Sequence, residues 1–216
     1  MKSVYRSIKP YWLYLILIGK KTIEVGKDFP KSDDWNKEVF LHCSKDMKSF
    51  KRIPEKDREW MRKYLGKCAC RFVCNEIEDF RFDALEMSYM ARKYRDTNLL
   101  NEEFFKGTQV TYQEVYDYCE GMTFDEEDTD YFYGWHISDL VIYEKPRELS
   151  EFYKPCTNLI NGFCNIPYPF NLCGKIGMTF ERYGKNGENH RLVGKNVCLN
   201  VLHRPPQSWC YVEAQE

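Results

Sequence analysis

Lys21, Thr22 and Glu24 place an ammonium, a hydroxyl and a carboxylate within four consecutive residues. A lysine and a glutamate at this spacing can hold each other's charge and still leave a donor aimed into a cleft. Burial would lower the lysine's pKa and make it available as a base. Parity complicates the arrangement: in a regular strand Lys21, Ile23 and Val25 share one face, and Thr22 and Glu24 the other. Lys21 must therefore sit at an irregular strand entry to join Glu24 in one site. An exposed ion pair at a helix–strand junction accounts for the same residues, and both readings stay open. Lys9, Lys20 and Lys27 flank the group, and residues 1–27 hold six Lys/Arg against one Glu.

Two later stretches carry further candidates. Trp135, His136 and Ser138 offer a π-face and hydrogen-bonding groups on one strand, which is what a pocket for a flat heterocycle requires. A core tryptophan beside a satisfied histidine explains them equally well. Near the C-terminus, Arg204 precedes Pro205-Pro206, whose rigid extended backbone delivers Gln207 and Ser208 to a fixed place. An amide and a hydroxyl held that way can read a base edge; Trp209 beside them reads as a seal.

The elements that must position these groups are legible in outline. Residues 4–8 read as a strand. Pro10 opens a helix over residues 11–18, apolar nearly all round and hence buried, and Gly19 closes it. Residues 22–25 and 38–43 read as strands, residues 54–65 as a helix behind Pro54. Cys68 to Phe80 reads as one long strand with its cysteines on one face, and Tyr131 to Tyr143 as another. Residues 84–95 and 111–120 read as helices, the second opened by a Thr111/Glu114 capping box. Residues 149–152 read as a short turn, and residues 209–213 as the last strand. Gly184 to Gly187 reads as a hairpin tip.

Gly19-Lys20-Lys21-Thr22-Ile23-Glu24-Val25-Gly26 resembles the GxKxxExR motif of the ASCH domains, small β-barrels of the PUA-like superfamily. Gly19, Lys21 and Glu24 match; Gly26 stands where the motif has arginine, with Lys27 next to it. Tyr133 to Leu140 and Arg204 to Val212 are similar to segments of ASCH-like proteins of phages and prophages of Gram-positive bacteria. The resemblance implies an α+β fold: a single ASCH/PUA-like β-barrel over residues 1–216. Helical (about 84–128) and loop/hairpin (155–197) insertions would decorate it. Some ASCH enzymes are amidohydrolases of acetylated cytidine that use a lysine, a threonine and a glutamate. Lys21 matches the lysine, Glu24 occupies the threonine's position, and Thr22 lies two residues early.

Composition bounds the function. At 216 residues, 43% hydrophobic and 30% charged, the chain is long enough for a proper core. The net charge of −1 gives no global case for a polyanion partner. Its distribution is uneven, since residues 112–131 carry eight Asp/Glu and no Lys/Arg. The apolar run Trp12 to Ile18 falls short of the ~18 residues that span a membrane. Ten cysteines without a secretion signal point to reduced thiols in a cytoplasmic protein. No C-x2-C pair supports a metal site, although Cys156, Cys164, Cys173 and Cys198 could close a zinc-stabilised insertion. The expectation is therefore a cytoplasmic protein, without cofactor or metal, that binds RNA, other nucleic acid or a modified nucleotide in a basic cleft. Lys9, Lys20, Lys21, Thr22, Glu24, Lys27, Trp135, His136, Ser138, Arg204, Gln207 and Ser208 would form it. A hydrolase acting on a modified nucleoside or RNA through Lys21, Glu24 and His136 is the alternative. A phage-encoded protein that inhibits a host component through the acidic run 125–130 is the third reading.

Overall fold

The computed structural model describes residues 2–31, 35–83, 88–93, 96–99, 102–119, 131–154, 159–160, 163–164, 202 and 204–214. In chain order these give β1 (Lys2–Ile8), α1 (Pro10–Leu17), β2 (Ile23–Gly26), β3 (Trp35–Cys43), α2 (Met47–Phe50) and α3 (Glu55–Arg62). β4 (Cys68–Val73), β5 (Ile77–Asp83), β6 (Ser88–Lys93), β7 (Asp96–Leu99), α4 (Glu102–Thr108) and α5 (Tyr112–Cys119) follow. β8 (Tyr131–His136), β9 (Ser138–Arg147), β10 (Phe152–Tyr153), β11 (Leu159–Ile160), β12 (Phe163–Cys164) and β13 (Trp209–Ala214) complete them.

The strands form a six-stranded sheet, β10-β13-β1-β3-β4-β9, and a five-stranded sheet, β2-β8-β5-β6-β7, with β11 and β12 paired apart. The fold is mixed α and β. β1 lies inside the larger sheet, parallel to β3 and antiparallel to β13. Among the described residues the chain passes between the two sheets four times, and two of these connections are short. Cys74–Glu76 separates β4 from β5, and Ile137 alone separates β8 from β9. The corner is closed by Cys74 N–H donating to the Lys37 carbonyl at 2.8 Å, His136 N–H to Glu76 at 3.1 Å and Ile137 N–H to Thr22 at 2.9 Å. Each stretch read as one long strand from sequence is therefore two strands in two sheets. A run of β-formers through a corner shows no break in periodicity, because only the pairing partners change.

Alternation divides β1 between two cores. Val4 and Ile8 join Leu13, Leu41, Phe72 and Trp135 between sheet and helix, while Tyr5 joins Phe40, Phe152 and Val212 on the opposite face. Cys68, Cys70 and Cys74 do not share a face as expected. A register shift between Cys68 and Cys70 sends Cys68 to the Tyr5 side and leaves Cys70 and Cys74 on the other. A bulge of this kind inverts parity for every residue beyond it.

α1 forms as its sequence predicts, with Pro10 as its first residue and Leu13 to Leu17 all buried. Its end is a Schellman turn: Gly19 has φ +73°, its N–H meets the Ile16 carbonyl at 2.9 Å, and Lys20 N–H meets Leu15 at 2.9 Å. The expected helix over residues 84–95 is overturned where the chain is described, since residues 88–93 form β6, paired to β5 and β7. Pairing with two neighbours outweighs the helical preference of a mixed polar segment. Helix α5 carries the expected cap, with Thr111 Oγ1 accepting from Glu114 N–H at 3.2 Å and Glu114 accepting from Thr111 N–H at 2.9 Å. Residues 149–151 form a 3-10 turn. The acidic run 125–130, the tip at 184–187 and, of the 156–198 cysteine set, Cys156, Cys173 and Cys198 lie outside the described residues; Cys164 is described only as the end of β12. Among the described residues no helix is long and apolar enough to cross a membrane.

Candidate functional site

The Schellman turn at Gly19 decides where Lys21 goes. By reversing the chain under α1 it brings Lys21 N–H to the Leu15 carbonyl at 3.0 Å, two residues before β2 begins at Ile23. Lys21 thus sits at an irregular strand entry, and its side chain reaches the one on Glu24. Lys21 Nζ lies 3.5 Å from Glu24 Oε2, 5.4 Å from the centre of the Trp12 ring, and donates to the Thr108 carbonyl at 2.8 Å. Only 2% of Lys21 and 6% of Glu24 is exposed, so the pair is a buried one. Burial lowers the Lys21 pKa, and Glu24 opposes that shift by favouring the ammonium.

A third charge joins them that sequence reading passed over. Arg6, on β1, is 4% exposed. Its Nε lies 3.7 Å from Glu24 Oε1, its Nη2 donates to the Val25 carbonyl at 2.8 Å, and its guanidinium stacks 5.1 Å from the Trp135 ring. Nε and Nη1 have no hydrogen-bond partner. The signal was available: Val4, Arg6 and Ile8 alternate onto the core face of one strand, and a charge in that register is out of place.

A cleft of about 700 Å³ opens above this cluster. Arg6, Lys21, Glu24 and Trp12 line it, as do Lys9, Lys27, Gln207 and Ser208 from the expected set. Gln207 and Ser208 arrive because Ser208 accepts from Ser7 N–H at 3.1 Å through its carbonyl and donates from Oγ to Asp28 at 2.7 Å. Ser7 and Ser44, at the carboxyl ends of the parallel pair β1 and β3, add hydroxyls whose buried oxygens have no partner. The cleft is not simply basic. Asp46, Glu114 and Asp117 also line it, and Glu114 is held by Arg52 at 2.6 Å.

The remaining candidates lie elsewhere. Lys20, Thr22 and Arg204 are exposed and do not line the cleft. Trp135 is wholly buried, 6.2 Å from Trp35, so it is a wall behind Arg6 and not a stacking platform. His136 Nε2 is 3.0 Å from Glu78, and Ser138 Oγ donates to the Val73 carbonyl at 2.8 Å. Glu76, Glu78 and His136 place ligand atoms within 4.8 Å of one another, with Glu76 exposed and the other two half-buried, and His136 Nε2 approaches Glu78 without a hydrogen bond. Among the described residues the aromatic side chains that line the cleft are Trp12 and Tyr118, from α1 and α5.

No family model and no curated protein matches the chain. Among solved structures it is similar to the crystal structure of ASCH from Zymomonas mobilis, at 13% identity and TM-score 0.42 over 68% of this chain and 73% of that one. A tyrosine-to-phenylalanine mutant of that protein gives 13% identity and TM-score 0.43 over 69% and 77%. A serine-to-alanine mutant gives 13% and 0.41 over 68% and 74%.

Proposed function

We propose that the cleft binds a nucleotide unit, either of RNA or as a modified nucleotide, in a cytoplasmic setting. The observation that supports this most directly is the buried Arg6–Glu24–Lys21 cluster under an open, aromatic-walled cleft. Two cations and one anion are withdrawn from water there, and hydrogen-bonding capacity on Arg6 is left over. Such an arrangement is costly to fold and is compensated by a ligand that brings negative charge. Lys9 and Lys27 are exposed cations placed for phosphate, and Trp12 and Tyr118 supply faces for a base. The acidic groups on the wall disfavour a long polyanion in the cleft and suit the amino edge of a heterocycle.

The test is fluorescence anisotropy with labelled single-stranded RNA, an RNA hairpin and duplex DNA at two salt concentrations. RNA is expected to bind more tightly than duplex DNA. The double variant Lys9→Ala/Lys27→Ala should flatten the salt slope by roughly 0.7 for each phosphate deprived of its lysine. A wild-type protein that binds neither RNA nor a free nucleotide overturns the reading.

A hydrolytic reading has one observation in its favour. Lys21 is a buried lysine with a lowered pKa beside a carboxylate, the usual preparation of a lysine base. His136 does not line the cleft, so such a reaction would fall to Lys21 and Glu24. Turnover of an acetylated or otherwise modified nucleoside that vanishes in Glu24→Gln, with folding intact, would establish it.

A further inference from the structure

Gly26 pairs with Tyr133 at the end of β2, directly after the Val25 carbonyl that Arg6 holds. A methyl group at Gly26 would lie 2.5 Å from Arg6 Nη2, 2.8 Å from Nη1 and 3.0 Å from the guanidinium carbon. The guanidinium ends a flexible side chain and borders the cleft, so it could shift, but only by giving up the contacts that now hold it. Trp135 lies under it, Glu24 and the Val25 carbonyl fix it, and it is 4% exposed. The space that any side chain at position 26 would enter is filled by Arg6.

We propose that the Arg6 guanidinium, from β1, occupies the place a side chain at position 26 of β2 would take, and that residue 26 is glycine in exchange. Arg6 is then the positioning residue that holds the Glu24 carboxylate and the β2 backbone from the side opposite Lys21. It also gives the cleft floor the excess positive charge that a phosphate-bearing ligand would meet. This second role rests on the nucleotide reading above; the Arg6–Gly26 exchange does not.

The experiment has two arms. In the first, without ligand, denaturant unfolding is compared for wild type, Arg6→Ala, Gly26→Ala and the double variant. Gly26→Ala should destabilise the wild type and cost much less on the Arg6→Ala background, where the space is empty. Equal costs in both backgrounds overturn the exchange. The double variant Arg6→Ala/Gly26→Arg should likewise be more stable than the summed effects of its two substitutions. If it fails to fold, the alanine cycle still decides.

In the second arm, calorimetry compares adenosine 5′-monophosphate with adenosine. Wild type should prefer the phosphorylated probe by roughly tenfold or more, as charge-assisted contacts do. The preference should collapse in Arg6→Ala and survive in part in Arg6→Lys; a merely structural arginine would leave it unchanged, and that result overturns the role in the site. Wild type that binds neither this probe nor RNA, with the stability coupling intact, overturns the nucleotide reading and leaves the exchange standing. Binding together with an additive cycle does the reverse.

Discussion

The Lys21 ammonium donates to the Thr108 carbonyl at 2.8 Å, joining the mouth of β2 to the end of α4 across 87 residues of chain. The contact is backed by Gly107, whose missing side chain lets α4 approach: a Cβ there would lie 2.7 Å from Ile23 Cδ1. Thr22 N–H adds a bond to the Gly107 carbonyl at 2.8 Å. The helical segment after β7 is thus clamped onto the site by backbone acceptors and one buried charge.

Removing the anion from this clamp is expected to cost more than removing a cation. Glu24→Ala leaves Lys21 and Arg6 buried without a counter-charge, which typically costs about 3–5 kcal/mol. Lys21→Met keeps the volume and leaves Glu24 with Arg6, so its cost should be smaller. The pH dependence separates the two. Burial lowers the Lys21 pKa below its ordinary 10.5. Between the folded pKa and 10.5 the unfolded chain binds the extra proton, so this group's contribution to stability rises with pH through that window. The wild-type minus Lys21→Met difference, read by urea unfolding from pH 7 upward, should therefore move in favour of wild type as pH rises.

His42 should shape the acid limb. It is 3% exposed, its ring lies 5.9 Å from that of Tyr5, and Nδ1 has no partner. Burial lowers its pKa below 6.5; the Lys45 charge adds to this, and a hydrogen bond with the Gly66 backbone opposes it. A depressed histidine stabilises the fold fully above 6.5, and the contribution is lost as pH falls through the folded pKa. His42→Gln should lower stability at neutral pH and lose part of the decline seen below pH 6.5. An unchanged acid slope in the variant would show that His42 is not the group responsible.

The described core thiols should be inert. Burial pushes Cys43, Cys70 and Cys74 up to about 12, and raises Cys68 well above its ordinary value. At pH 8 each is a buried thiol with almost no thiolate, the form that reacts. Peptide mapping after brief native iodoacetamide treatment should find these four unmodified, and all four modified once the chain is unfolded. Labelling of any of them in the native protein would mean that its strand opens.

What the sequence made legible was local. The proline start and glycine stop of α1, the Thr111 capping box and the Lys21–Glu24 proximity each depend on neighbours within a turn, and each appears in the structure. What stayed hidden was set by long-range pairing. The corner at Ile137 separates Ser138 from the strand that carries Trp135, and the Cys68–Cys70 bulge inverts a face. Arg6 is the instructive case. Alternation with Val4 and Ile8 put its charge in a core register, but its partners Glu24, Gly26 and Trp135 lie far apart in sequence and only the fold gathers them.

Trp135, open between core and pocket in the sequence, is core, while Trp12, expected in a buried helix, lines the cleft, and the two give the sharpest contrast to measure. Trp135 is wholly buried between Trp35 and Arg6, so Trp135→Ala opens a large cavity and strands a guanidinium, a loss of about 3–5 kcal/mol or more. Trp12 is half-buried at the cleft, beside Tyr11 and under the Lys21 ammonium. Trp12→Ala should be much milder in denaturant yet weaken RNA binding by about 1–3 kcal/mol if the ring stacks on a base. Unfolding curves and anisotropy on the same two variants read both quantities. A Trp12→Ala protein with undiminished RNA affinity would move the base away from α1 and toward Tyr118 on α5.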